Sequence, residues 1–205
     1  MKRILYLHGI GSTGGGNTVN SIKEAFPDII VDSPELPTMP KDAFEYISNL
    51  VNKNRYDAVI GTSLGGFYAM MISGVKKILI NPAMFASEDI PKAIGFGTHP
   101  YLREHRSGEK TYTVDETYIK ELASLQNRFF SDWFDNEYIF ETTAIFGTED
   151  TLFSHINDYK VLYKSHNMHT AKFGHRIDSE TFDNVLKPII ANLISESVDV
   201  RGLVE

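Results

Sequence analysis

A chain of 205 residues, 42% of them hydrophobic, can bury one substantial core and does not require a second. Its charged residues, 23% of the total with a formal net charge of −7, include no basic cluster that would neutralise a run of phosphates, so no nucleic-acid partner is expected. The absence of cysteine excludes disulfides, thiolate metal sites and a cysteine nucleophile, and neither a metal nor a cofactor is expected.

Met1-Lys2-Arg3-Ile4-Leu5-Tyr6-Leu7 opens like a signal peptide, but His8-Gly9 cuts the apolar run well short of a secretory segment. The run reads instead as a first buried strand over residues 3–7. No apolar stretch approaches the ~20 residues that span a bilayer, so no membrane partner is expected and the cytoplasm is the expected location. Further strands are predicted over 29–32, 57–61, 77–81, 143–146 and 170–173, and helices over 18–26, 41–52, 64–73, 155–165 and 179–195. The alternation of short apolar runs with amphipathic stretches predicts an α/β fold in three layers, with a mostly parallel six-stranded sheet. Right-handed crossovers then bring the loops at the carboxyl ends of the strands to one side, where reactive groups should gather.

The first of those loops, His8 to Asn17, fits Gly-x-Gly-x-x-Gly at Gly9, Gly11 and Gly14, with Asp32 about 20 residues beyond, as a dinucleotide fingerprint requires. A nucleotide-dependent oxidoreductase is therefore one reading. In the other, the same loop supplies a backbone N–H, that of Ile10, to an oxyanion hole, and Gly14, Gly15 and Gly16 form a mobile rim. His8, ahead of Gly9, is expected to organise the loop.

Residues 57–60 read as a strand and 64–73 as a helix, joined only by Gly61-Thr62-Ser63-Leu64-Gly65-Gly66. A turn this abrupt strains its central residue and needs glycines on either side, and it thrusts Ser63 into the open as a nucleophile, with the N–H of Leu64 as the second oxyanion donor. Composition alone would produce Gly-x-Ser-x-Gly in roughly one chain in twenty, so the strand-to-helix context carries the inference. The bland alternative is a serine that only caps the helix. Phe67, Met84 and Phe85, beside the turn and past the next strand, are expected to line an acyl pocket.

About sixty residues, 82–142, separate the fourth strand from the fifth, twice an ordinary crossover. They carry Phe85, Phe96, Tyr101, Tyr112, Tyr118, Phe129, Phe130, Trp133, Phe134, Tyr138 and Phe140. That is enough apolar surface for a cap over the sheet edge, or for a peripheral excursion that thickens the core of a single domain.

A serine needs a base, and the base needs an acid to orient it. Of seven histidines, His175 alone follows the last predicted strand and comes after the serine. His166 and His169 precede that strand, His155 starts a helix, and His99 and His105 lie in the insertion. These five are expected to be solvated or structural. In the turn after residue 146, Asp150 is the preferred acid because Gly147-x-x-Asp150 leaves room to turn the carboxylate inward over Phe153. Glu149 is its competitor, and Asp178 lies too close to His175. The tail from residue 197 is expected to be loosely held.

Leu7-His8-Gly9, Gly61 to Gly66, Asn81-Pro82-Ala83, Pro100-Tyr101, the Gly147-to-Phe153 loop and Gly174-His175 resemble, in order, the motifs of small bacterial esterases of the YqiA/YcfP type, in the α/β-hydrolase superfamily. The resemblance implies carboxylic-ester hydrolysis of a small-molecule substrate, with Ser63, Asp150 and His175 as catalytic residues. Two departures stand out: Met84-Phe85-Ala86-Ser87 follows Asn-Pro-Ala where relatives often carry an arginine, and Arg176 follows the histidine where they carry a small residue. A third reading is a hydrolase scaffold that binds without turnover, should the insertion close over Ser63.

Overall fold

The computed structural model describes residues 1–105, 108–132, 139 and 141–195. Strands β1 (Arg3–Leu7), β2 (Ile30–Asp32), β3 (Ala58–Thr62), β4 (Lys76–Ile80), β7 (Thr142–Gly147) and β8 (Met168–Ala171) form a six-stranded sheet in the order β2-β1-β3-β4-β7-β8, every neighbouring pair parallel. The central strands read as unbroken apolar runs because both sheet faces are covered. Successive side chains alternate between two cores, as the period of a strand demands. Ile4, Tyr6, Ile60 and Ile78 face α1 (Asn17–Ala25) and the C-terminal helical segments, while Leu5, Leu7, Val59 and Leu79 face α2 (Pro40–Lys53) and α3 (Leu64–Met70). That is the expected three-layer α/β arrangement.

Register aligns the strand ends. Leu7 lies opposite Gly61, Thr62 opposite Ile80, Ile80 opposite Ile145, and Gly147 opposite Ala171. The loops that begin at His8, Ser63, Asn81, Thr148 and Lys172 therefore leave the sheet side by side.

Several boundaries differ from the sequence reading, and α3 ends at Met70 instead of residue 73. Helix α6 (Ile156–Tyr163) stops early, because Lys164, Ser165 and Asn167 all take positive φ and reverse the chain. Strand β8 accordingly starts at Met168, so that the exposed His169 lies within it rather than ahead of it. The last helix is α7 (Ser179–Thr181), a π-helical turn over Phe182–Leu186 and α8 (Lys187–Ser195). The Lys187 N–H reaches back five residues to the Phe182 carbonyl, and Pro188 next to it has no N–H with which to restore the α pattern.

Residues between β4 and β7 form α4 (Ala86–Ile94), an antiparallel hairpin of β5 (Gly97–Pro100) and β6 (Thr111–Val114), and α5 (Glu116–Asp132). Tyr112, Val114, Tyr118, Leu122, Leu125 and Phe129 are buried in the same apolar cluster as Leu5 and Leu79, so this segment extends the core. Its other side faces the edge where the loops gather. Of the aromatic residues noted above, Phe96 is exposed, and Trp133, Phe134, Tyr138 and Phe140 lie outside the described residues, as does the tail. Among the described residues no helix is long and apolar enough to cross a membrane.

The glycines of the first loop are not alike. Gly14 is buried, and a Cβ there would stand 1.9 Å from the Ser33 carbonyl oxygen, whereas at Gly15 it would meet only Thr13 Oγ1 at 3.9 Å. Gly14 thus serves close packing of the loop on the segment after β2, in place of a mobile rim. Gly14→Ala should cost about 2 kcal/mol or more in urea denaturation, as overpacking against backbone does, and Gly15→Ala less than about 0.5 kcal/mol. Equal effects would contradict this packing role.

Candidate active site

Ser63 is the single residue between β3 and α3, at φ 56° and ψ −120°, a conformation that a non-glycine residue holds only when its surroundings over-determine it. Here they do. The Ser63 N–H donates to the Ile80 carbonyl at 3.0 Å, and the Ser63 carbonyl accepts from Phe67 N–H and Ala83 N–H, both at 3.1 Å. The flanking glycines are required by contact: a Cβ on Gly61 would stand 2.3 Å from the Gly65 carbonyl oxygen, and one on Gly65 would stand 2.1 Å from that of Leu7. The helix start is pressed directly onto the ends of β1 and β3. Ser63 makes no side-chain cap to α3, so the capping alternative does not hold.

Asp150 and His175 meet on adjacent loops. Gly147 to Asp150 forms a turn in which the Asp150 N–H donates to the Gly147 carbonyl at 3.3 Å. The turn brings Asp150 Oδ2 to 2.8 Å from His175 Nδ1, while Oδ1 accepts from Leu152 N–H at 2.9 Å. The carboxylate is buried, its side chain 1% exposed, and the imidazole keeps 18%. Phe153 packs edge-on against the imidazole, with ring centres 4.9 Å apart. Glu149 instead points outward to Lys172 at 3.7 Å, and Asp178 caps α7 through the Thr181 N–H.

Asn81, which sequence reasoning registered only as part of a motif, joins three of these elements. Its Oδ1 accepts from Gly147 N–H at 2.8 Å, and its Nδ2 donates to the carbonyls of Gly174 and His175 at 3.0 and 3.1 Å. One buried amide therefore ties the end of β4 to the acid loop and the base loop. The signal was an asparagine at a strand end before proline, since asparagine tolerates the positive φ of 40° found there.

The first loop turns through a bond from Ser12 N–H to the Gly9 carbonyl at 3.2 Å. A Cβ on Gly9 would lie 3.6 Å from Ser63 Oγ, so the glycine leaves the backbone close to the hydroxyl. That turn leaves the Ile10 N–H at a position it does not use, and the Leu64 N–H belongs to the first turn of α3, which has no intrahelical acceptor. His8 braces the loop as expected: its Nε2 accepts from Leu36 N–H at 3.1 Å, and its Nδ1 donates to the Gly9 carbonyl at 2.9 Å. Asp32 is committed elsewhere, accepting from Arg3 Nε at 2.6 Å and from the Tyr56 hydroxyl at 2.9 Å, which removes the ribose partner that a dinucleotide site would need.

A cleft of about 460 Å³ lies over Ser63 and His175. Its apolar wall is Ile90, Ala93 and Ile94 of α4 with Leu152, Phe153 and Ile177, and Arg103 and Arg176 also line it. The structure does not bring Phe67, Met84 or Phe85 there. Phe67 and Met84 are wholly buried in the core, and Phe85 stacks on Phe130 and meets His155 edge-on.

His155 is buried beneath the site, its Nε2 2.8 Å from Asp89 and its Nδ1 2.8 Å from Asp158. Phe153 stacks on it, so one phenyl ring touches both His155 and His175.

A parallel sheet in this strand order, with a serine at a strand-to-helix elbow and an Asp–His pair on later loops, defines the α/β-hydrolase fold. The chain belongs to the uncharacterised protein family UPF0227, whose model matches residues 3–136. A UPF0227 protein of Shewanella woodyi is 29% identical over 157 residues, which span 65% of this chain and 88% of that protein. Solved structures of similar fold include Est1E from Butyrivibrio proteoclasticus (TM-score 0.64, 11% identity, 95% of this chain and 88% of that one). Alpha/beta hydrolase domain-containing protein 10 from mouse gives 0.63 at 13% identity over 95% and 90%. A structure reported for the metagenome-derived lipolytic enzymes LipS and LipT gives 0.61 at 15% identity over 94% and 93%.

Two predictions follow from these bonds. Asn81→Ala strands a buried N–H and two carbonyls, and Asn81→Asp cannot donate to those carbonyls, so each should cost about 2 to 3 kcal/mol in urea denaturation. A loss below about 0.5 kcal/mol would deny the bracing role. The two braced histidines should titrate in opposite directions. Burial holds His8 below its ordinary value; the unfolded chain then takes up the proton first, and His8 withdraws stability as pH falls below about 6.5. Burial alone would also lower His155, but the hydrogen bonds to Asp89 and Asp158 outweigh it and raise the group. Its stabilisation is therefore complete below about pH 6.5 and lost as pH rises through the raised value. Imidazole NMR titration should place the His8 midpoint below, and the His155 midpoint above, that of an unperturbed histidine.

Proposed function

We propose that this protein is a serine hydrolase that cleaves carboxylic esters or thioesters of small acyl groups through an acyl-enzyme. The observation that carries this reading is the 2.8 Å contact of His175 Nδ1 with buried Asp150, in the cleft that also holds the strained Ser63. Asp150 keeps a proton on Nδ1, which leaves Nε2 as the basic nitrogen. Ser63 Oγ attacks the substrate carbonyl as its proton passes to Nε2, and the carbonyl oxygen takes the negative charge. The N–H groups of Ile10 and Leu64 donate to that oxygen, an interaction stronger in the tetrahedral intermediate than in the bound ester. Collapse expels the alcohol or thiol, which takes the proton from His175 and leaves Ser63 acylated. Water, deprotonated by His175, then attacks the acyl carbon; the carboxylic acid leaves and the Ser63 hydroxyl is restored.

The apolar wall supplied by α4 and by Leu152, Phe153 and Ile177 suits an acyl chain, and 460 Å³ suits a small one. The lipolytic activity named for the LipS and LipT enzymes, which share the fold, supports ester cleavage.

A fluorophosphonate probe should label the protein at Ser63, and labelling that survives in Ser63→Ala would sink the assignment. With 4-nitrophenyl butyrate, Ser63→Ala, His175→Ala and Asp150→Asn should each lower kcat/KM by about 10³-fold or more, while Glu149→Gln leaves it within about twofold. A wild-type protein that neither takes up the probe nor turns over the ester would favour a binding role on this scaffold.

A further inference from the structure

Resting on the hydrolase reading, we infer that the substrate carries an anionic group, a carboxylate or a phosphate, which Arg103 and Arg176 recognise in the cleft over Ser63.

The chain is acidic, with 27 Asp and Glu against 20 Lys and Arg, yet no Asp or Glu lines the cleft and two arginines do. Of the acids near these elements in sequence, Asp150 lies behind His175, Asp178 caps α7, Glu149 faces Lys172, and Glu104, next to Arg103, is exposed outside the lining. Arg103, in the segment between β5 and β6, donates from Nη2 to Asn17 Oδ1 at 2.6 Å, which holds its guanidinium at the edge of the cleft. Arg176 comes directly after His175 and makes no ion pair among the described residues; nor does Arg103. Two guanidinium groups from separate elements thus share one opening with their fork-shaped donor sets uncommitted to any carboxylate. That geometry matches a carboxylate or phosphate in two-pronged fashion, and an opening of one sign concentrates ions of the other.

The tether of Arg103 adds to this. Asn17 opens α1, whose first turn has neither an acidic residue nor a side-chain cap, and Gly16, Asn17 and Thr18 line the same cleft. Arg103 is thereby fixed at the positive end of a helix, where a cation is disfavoured unless an anion comes between. The arginines and the wall of Ile90, Ala93 and Ile94 line one cleft, so the ligand that fits is amphipathic, with an apolar acyl portion and an anionic group.

Two substrate pairs test the inference and separate the two anions. The first is 4-nitrophenyl hydrogen glutarate against 4-nitrophenyl valerate, which differ by a carboxylate at equal chain length. The second is butyryl-4′-phosphopantetheine against butyryl-pantetheine, which differ by the phosphate. In at least one pair kcat/KM should favour the anionic member by about tenfold, the size expected of a charge-assisted hydrogen bond. The preference should shrink with added KCl and fall by about tenfold in the Arg103→Gln, Arg176→Gln double variant. Arg55→Gln, which removes a positive charge from the surface outside the cleft, should leave the ratio unchanged. No preference in either pair, or one that persists in the double variant, overturns the inference. Failure to turn over any of the four counts against the hydrolase reading instead. Calorimetric titration with glutarate and with 4′-phosphopantetheine then decides this one: binding weakened about tenfold in the double variant upholds it, and absent or unaltered binding overturns it.

Discussion

The functional edge of this protein depends on a contact between backbones. The first turn of α3 lies against the ends of β1 and β3 with no side chain between them, since Gly61 and Gly65 leave room only for carbonyl oxygens. That approach forces the chain to pass from strand to helix through one residue, and Ser63 accepts the strained conformation because Ile80, Phe67 and Ala83 all bond to its backbone. The strain is therefore maintained by the sheet. Any rearrangement that relaxed Ser63 would first have to pull α3 away from β1 and β3.

Around that point the loops are joined by buried polar groups. Asn81 spans from the end of β4 to Gly147 and Gly174, His8 spans from Gly9 to Leu36, and His155 spans from Asp89 to Asp158. Each satisfies buried donors or acceptors that would otherwise cost stability, and each joins segments far apart in sequence. The histidines are sorted by surroundings alone. His8, buried against an N–H and a carbonyl, is held below the ordinary histidine value, whereas His155, buried between two carboxylates, is held above it. His175 differs from both in keeping one nitrogen toward the cleft, and that sets it apart as the candidate base.

The segment between β4 and β7 unites the two roles left open for it. Through α5 it thickens the core, and through α4 and the stretch at Arg103 it walls the cleft. Ile90, Ala93 and Ile94 of the apolar wall, and Arg103 of the two arginines, thus come from this segment, while Leu152, Phe153, Arg176 and Ile177 come from the loops after β7 and β8. A scaffold of this kind can change its ligand by altering this segment while the elbow and its Asp–His pair stay in place.

Much was already determined by the sequence alone, because strands, turns and elbows are local. The apolar runs marked all six strands of the main sheet in order, and Gly-x-Ser-x-Gly at a strand-to-helix junction marked the elbow. Chain order and the turn at Gly147-x-x-Asp150 singled out Asp150 and His175, which the fold brings to 2.8 Å. What only the tertiary structure decided concerns which side chains face one another across layers. All of α3 is buried, so no periodicity could tell that Phe67 points into the core, and Met84 lies there too. The hold of Asn81 on two later loops, and the meeting of Arg103 with Arg176 in one cleft, join residues more than sixty positions apart. No local pattern encodes such pairs, because they exist only once the parallel register has brought the strand ends side by side.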